Sequence, residues 1–278
     1  MKLKKIVCWI GTTPNHQALV NKISKEFEIA GVVIDRKINK KSKTNLIGLF
    51  RKTIDKIRFW KIDHVWISLN EYYSKNFKIP SGIPILIVDS INTDEVAEFT
   101  AKISPDLVLV SGTSLIKEPQ VSMKFPIGII NLHTGLSPYV KGGPNCTNWC
   151  IANNEWAMIG NTVLWLSAGI DSGNIISSER TDLGTATSLY DIHFTVMEHA
   201  HDLFLRSIRY IINAEPPYQS IPQIEIAKGK LYLAKMWTSV KKKDLLKNLK
   251  GPRNLRQPFN IRTVPIPLLF EEDSLPHL

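Results

Sequence analysis

The opening of the chain constrains its fold more than any other stretch. Ile6-Val7-Cys8-Trp9-Ile10 is an unbroken apolar run, Gln17 to Phe27 carries helical spacing, and Ile29-Ala30-Gly31-Val32-Val33-Ile34 is a second apolar run. Strands apolar throughout are buried on both faces, and two of them joined through a helix pair in parallel. A strand–helix–strand beginning therefore predicts a parallel sheet covered by helices. Gly11 to Asn15 forms the first turn and lacks the Gly-x-Gly-x-x-Gly spacing of a dinucleotide site. Gly11, Thr12 and Thr13 still lead into a helix N-terminus, whose free backbone N–H groups suit a phosphate or carboxylate on a substrate.

The same punctuation continues. Ile83 to Val88, Asp106 to Val110, Ile127 to Ile130, Thr162 to Leu166 and Asn174 to Glu179 read as strands. Thr93 to Lys102, residues 145–153 with Asn145 as a cap, and Ser188 to Ile212 read as helices, the last with Leu189, Ile192, Val196, Leu203, Leu205 and Ile208 as its apolar stripe. Beyond Ile212, Ala214-Glu215-Pro216-Pro217 breaks the helix. Leu231-Tyr232-Leu233 is then a short strand, and Lys241 to Leu249 a basic helix in a proline-rich tail. The reading is an α/β chain with a mostly parallel, twisted, Rossmann-like sheet. Residues 1–212 form its main domain, with a basic helical insertion over 36–80, and residues 213–278 a small C-terminal extension.

The formal charge of +10 is concentrated. Between Asp35 and Lys61, ten Lys and Arg stand against Asp35 and Asp55, and a second cluster runs from Lys241 to Arg256. Such patches attract nucleotides, RNA or an anionic membrane surface, or are simply a solvated face. Within the insertion, Leu46, Leu49, Phe50, Ile54, Ile57, Phe59 and Trp60 recur at near-helical spacing among the cations, which predicts an amphipathic helix. That helix either packs within the protein or lies on a membrane or partner surface. Cys8, Cys146 and Cys150 are too few and scattered for a disulfide framework, and no zinc-like spacing accompanies them, so no metal is expected. No cleavable leader and no apolar window of membrane-spanning length is visible, which predicts a cytoplasmic protein, at most peripheral to the inner face of the membrane.

The chemistry concentrates in Asn131-Leu132-His133-Thr134-Gly135-Leu136-Ser137-Pro138-Tyr139 and in Gly169-Ile170-Asp171-Ser172-Gly173. Asn131 and His133 are two apart at a strand end, hence on one side of the pleat. The glycines around Asp171 allow the tight turn that brings its carboxylate to an imidazole. An amide N–H donor, an imidazole and a carboxylate suffice to move an acyl group onto an amine. The donors meet the oxyanion, and the imidazole and carboxylate handle the proton. Taken singly, an Asn after a strand or an Asp between glycines is an ordinary turn former. The ordered pair of motifs on βαβ punctuation is what points to one site. No Ser or Cys nucleophile is expected to pair with His133. His199 and His201 do not share a helix face and read as structural. His64 joins no constellation, and His16 stands after the first turn, within reach of an acceptor.

This arrangement resembles the formyltransferase family that uses 10-formyltetrahydrofolate. Its signature is Asn-x-His, then a Leu-x-Pro-Tyr-x-Arg-Gly-like loop, then Asp in a Gly-x-Asp-x-Gly turn. Here these read Asn131-Leu132-His133, Leu136-Ser137-Pro138-Tyr139-Val140-Lys141-Gly142, and Gly169 to Gly173. Lys141 stands where the family has Arg, keeping the charge and losing the planar fork. Thr134-Gly135 replaces a bulkier dipeptide, and Gly112 stands where relatives often carry an aromatic. The resemblance implies the formyltransferase fold, catalysis by Asn131, His133 and Asp171, no metal, and 10-formyltetrahydrofolate as co-substrate. It places the pterin against Ser111, Gly112, Thr113, Ser114, Leu115 and Ile116, and against Ala168, Gly169 and Ile170. It implies acceptor contacts from Gly11, Thr12, Thr13, Pro138, Tyr139, Lys141 and Gly142.

The acceptor expected is a small-molecule primary amine, most like a nucleotide-linked amino sugar. The tRNA enzymes of the family usually carry a β-barrel after the core, and the purine enzymes lack a basic insertion. Initiator tRNA remains the alternative. A formyltetrahydrofolate hydrolase is a further one, although such hydrolases usually carry an extra N-terminal domain, whereas the first strand here begins at Ile6. A non-catalytic phosphate- or RNA-binding module and a homodimer are left open.

Overall fold

The computed structural model describes residues 4–38, 53–143, 145–253 and 261–267. Its spine is a seven-stranded sheet. The strands are β1 (Ile6–Gly11), β2 (Ile29–Asp35), β3 (Ile85–Val88), β4 (Leu107–Ser111), β5 (Gly128–His133), β7 (Gly160–Trp165) and β8 (Ile175–Arg180), in the spatial order β3-β2-β1-β4-β5-β7-β8. β3 through β5 are mutually parallel, as the apolar βαβ opening requires. β7 pairs antiparallel with both β5 and β8, so the sheet is mostly and not wholly parallel. A short separate ladder joins β6 (Val140–Gly142) to β9 (Lys230–Tyr232).

The chain leaves β1 toward β2 and β3, then reverses toward β4 and β5. The C-terminal ends of β1 and β4 therefore flank a crevice, the place where open α/β sheets bind ligands.

Strand alternation decides the two faces. Ile6, Cys8, Ile10, Leu107, Leu109, Ile130 and Leu132 point to one side, where helices α1 (Pro14–Ile23) and α5 (Leu189–Asn213) cover them. Val7, Trp9, Val108, Val110 and Ile129 point to the other, under Val96, Phe99 and Ile103 of α3 (Asp94–Ile103). Trp9 satisfies its buried indole N–H on Thr100 Oγ1 at 3.1 Å. A further apolar layer lies outside α1 and α5. It gathers α2 (Trp60–Asn76), α4 (Cys146–Ala152) and α6 (Ser239–Lys250), with Trp149 stacked on Tyr232 at 4.6 Å and edge-on to Trp237 at 4.8 Å.

Local sequence explains the helix starts. Pro14 opens α1, Asn145 caps α4 by accepting from the Asn148 N–H, and Ser188 with Asp191 closes a capping box on α5. Asn131 and His133 stand within β5, opposite Leu164 and Thr162, where the sequence reading ended that strand at Ile130. Ladder pairing with an antiparallel neighbour extended the strand, a contact the local apolar run did not carry. The inner side of the insertion helix packs through Phe59, Ile62, Val65, Leu69 and Tyr73, while Leu46, Leu49 and Phe50 lie outside the described residues. So do Arg256, Pro258 and Pro276 of the tail. No helix among the described residues is long and apolar enough to cross a membrane.

Two histidines inside the helical layers are held neutral. His193 is pushed down to about 4 by burial and bonds Asn148 Oδ1 at 2.9 Å. Burial also lowers His201 well below the ordinary value, and its Nδ1 accepts from the Lys22 ammonium at 3.1 Å. The unfolded chain binds protons at both positions below about pH 6.5, whereas the folded chain does not. The stability they contribute is therefore present above pH 6.5 and is lost as pH falls toward the folded values. Urea denaturation between pH 7 and 5 should show a falling midpoint. His193→Gln should remove up to about 1.4 kcal/mol per pH unit of that slope. An unchanged slope in that variant would show that His193 protonates in the folded state.

Candidate active site

The crevice at the ends of β1 and β4 opens into a cleft of about 650 Å³ that contains Asn131, His133 and Asp171. β5 carries the first two on one face. Asp171 arrives from the loop between β7 and β8, its backbone in the left-handed region at φ +45°. That conformation is costly for a residue with a side chain and must be held by its surroundings. Here Gln223 holds it, donating from Nε2 to the carbonyls of Asp171 at 2.7 Å and Gly173 at 2.8 Å.

His133 Nδ1 lies 3.4 Å from Asp171 Oδ2, with the side chains 8% and 15% exposed. His133 Nε2 faces the Val140 carbonyl at 3.2 Å. Both ring nitrogens thus point at acceptors, the pattern of a doubly protonated imidazole. Burial opposes that charge, yet the Asp171 carboxylate, with Cys146 and the Val140 carbonyl, raises His133 to about 10. Asp171 Oδ2 also accepts the Gly142 N–H at 3.0 Å, which anchors the carboxylate to β6. The Asn131 carboxamide lines the cleft and makes no side-chain hydrogen bond among the described residues, so its N–H₂ is available to a ligand.

The geometry adds a contact that the sequence did not suggest. A thiol does meet the imidazole: Cys146 Sγ is 3.6 Å from His133 Nε2 and 3.5 Å from the Gly142 carbonyl. It is buried and does not line the cleft, so it backs the ring and does not face a substrate. The four-residue spacing of Cys146 and Cys150 carried no hint of this, because the contact is made across β6 and not along the helix.

Ser111 to Ile116 line one wall of the cleft, and Gly169 and Ile170 join them, while Ala168 does not. A buried carboxylate shapes this wall. Asp35, at the end of β2, accepts from the Ser114 N–H at 2.7 Å and the Lys37 N–H at 3.0 Å, tying two loops together. Gly112 has φ +67°, and any side chain there would strike the His16 ring, itself held on Ser111 Oγ at 3.2 Å. His16 thus occupies the space that an aromatic at position 112 would need.

Thr13, Asn15, His16, Lys37, Trp66 and Met197 also line the cleft, as do Gly142 and Tyr232 to Ala234. Gly11, Thr12, Pro138, Tyr139 and Lys141 are not among its lining residues. Lys141 instead pairs with Leu231 in the β6–β9 ladder, and the Tyr139 hydroxyl accepts the Arg262 N–H at 2.7 Å. Asp35, Lys37, Trp66, Gln223 and Tyr232 escaped the sequence reading as site residues. The one available signal was Asp35, a carboxylate closing an otherwise apolar strand.

The family profile described as formyl transferase matches residues 4–208. A methionyl-tRNA formyltransferase from Clostridium tetani is 28% identical over 148 residues, covering 52% of this chain and 47% of the relative. The chain spans about half the length of the curated relatives it matches. Among solved structures, a 4-N formyltransferase from Francisella tularensis superposes with a TM-score of 0.54 at 18% identity, covering 94% of this chain and 95% of the other. An N-formyltransferase from Helicobacter canadensis, in complex with folinic acid and dTDP-3-aminofucose, gives 0.52 at 19% identity, covering 89% and 80%. These structural likenesses speak for the fold, and the profile match across most of the chain, with an amide, an imidazolium and a carboxylate in one cleft, makes this protein a member of the formyl transferase family.

Proposed function

We propose that the protein transfers a formyl group from 10-formyltetrahydrofolate to a primary amine of a nucleotide-linked amino sugar. The observation that carries the reading is the His133–Asp171 pair beside an unengaged Asn131 carboxamide in one cleft. The amine nitrogen attacks the formyl carbon, and Asn131 donates to the oxygen as it becomes negative. The His133 cation stabilises the same charge. The Asp171 carboxylate takes the proton leaving the amine, and the His133–Asp171 pair returns it to the donor nitrogen as the bond from that nitrogen to the formyl carbon breaks. Ser111 to Ile116 with Gly169 and Ile170 form the donor wall. Thr13 at the N-terminal end of α1, whose first turn holds no acidic residue, and Lys37 in the loop after β2 suit the acceptor's phosphate.

The acceptor class is supported by the sugar nucleotide in the Helicobacter complex. The names of the curated relatives support the second reading, methionyl-tRNA as acceptor. A mass-increment assay with 10-formyltetrahydrofolate separates the two. Formylated product is expected from a panel of nucleotide-linked amino sugars, and none from charged initiator tRNA. The reverse result overturns the acceptor assignment, and release of free formate alone selects a hydrolase.

Asn131→Ala should lower turnover by roughly 10²–10³, and His133→Asn or Asp171→Asn by roughly 10²–10⁴. Activity of the native enzyme should hold through neutral pH and decline as pH rises toward about 10, where His133 loses its proton. Residual activity of Asp171→Asn should decline at lower pH, because the charge that raises His133 is gone. A pH limb that stays in place would detach His133 from Asp171. Lys37→Ala should raise the acceptor KM about tenfold or more with little change in kcat, whereas Lys141→Ala leaves both near native. Equal effects of the two would remove Lys37 from the acceptor wall.

A further inference from the structure

We propose that the outer side of residues 53–67, together with the cationic face of α6, is a docking surface for an anionic lipid bilayer. The insertion presents apolar residues in two directions. Phe59, Ile62, Val65, Leu69 and Tyr73 are buried against the core, yet Ile54, Ile57, Trp60 and Ile67 are 46%, 69%, 52% and 63% exposed. Scattered exposed apolar residues are ordinary, but four large ones within fourteen positions form a patch that water alone does not explain.

The surroundings of the patch identify its occupant by charge. Lys56, Arg58 and Lys61 are exposed among the apolar residues. The N-terminal half of α6 lies against the same segment: Ser239 Oγ donates to Asp55 Oδ2 at 2.5 Å, and the Lys242 ammonium sits 5.3 Å from the Phe59 ring centre. Lys243 and Lys247 are exposed one turn apart on that helix. Of the nearby acids, Asp55 is turned onto Ser239, Asp244 of α6 pairs with Lys241 at 3.7 Å, and Asp63 remains exposed. Apolar side chains, an interfacial tryptophan and a ring of cations complement a headgroup layer carrying negative charge over an acyl interior. A protein groove would need matching acids, and a second copy would set these cations against one another. The same helix lines the cleft through Trp66, so docking would hold the cleft close to the bilayer plane.

The test is sedimentation of the full chain with vesicles, independent of any formyl transfer. Phosphatidylcholine vesicles containing phosphatidylglycerol should carry the protein down, and vesicles of phosphatidylcholine alone should not. Lys56→Glu/Arg58→Glu/Lys61→Glu should lower partition on the order of a hundredfold. Ile57→Ser/Ile67→Ser should lower it about tenfold with the native thermal transition retained. No binding to the anionic vesicles at low salt overturns the proposal. Binding indifferent to the serine pair reduces it to unspecific charge adsorption and overturns it as well. A dimer in the absence of lipid that the serine pair dissolves assigns the surface to a second copy instead.

Discussion

The His133–Asp171 pair is the interaction around which the rest of the cleft is arranged. A buried imidazolium is stable only where an opposite charge and good acceptors replace water. Asp171 supplies the charge at 3.4 Å and the Val140 carbonyl the second acceptor. The carboxylate must in turn be fixed, and it is, by the Gly142 N–H in front and Gln223 behind its left-handed loop. β6 therefore matters to the chemistry although it contributes no reacting group. It carries the carbonyl on one side of the histidine and the amide that locates the acid.

This dependence draws the C-terminal extension into the site. β9 pairs with β6, Gln223 clamps the Asp171 loop, and Tyr232 to Ala234 line the cleft. The reading of residues 213–278 as an appendage followed from the proline break after α5, which is real. A break in helical pattern marks where an element ends. It carries no information on where the chain returns, and here it returns to the cleft and the Asp171 loop. The insertion likewise looks outward and inward at once, with Trp66 in the cleft wall and Trp60 in solvent.

Much of the fold and the three chemical groups were legible in the residues. The apolar runs beginning at Ile6, Ile29 and Leu107 announced parallel strands because burial on both faces leaves no polar alternation. Asn145 and Ser188 announced helix starts because capping is a contact within one turn. Asn131, His133 and Asp171 stood out because few side chains can serve an oxyanion and a proton together. Lys141 was read as an acceptor contact from its place in a motif, but its strand pairs with β9 and only the neighbouring Gly142 reaches the cleft.

The sequence by itself determined the order and type of the elements and the chemistry of the central groups. Hydrophobic periodicity, caps and rare reactive side chains act over a few residues. The tertiary structure alone decided that Cys146 backs the imidazole, that Gln223 holds the acid, that Asp35 ties the loop of Ser114 to that of Lys37, and that His16 claims the space beside Gly112. Each of these is a contact between segments far apart in the chain, set by how the sheet reverses and the tail folds back. No local pattern of residues encodes such a meeting.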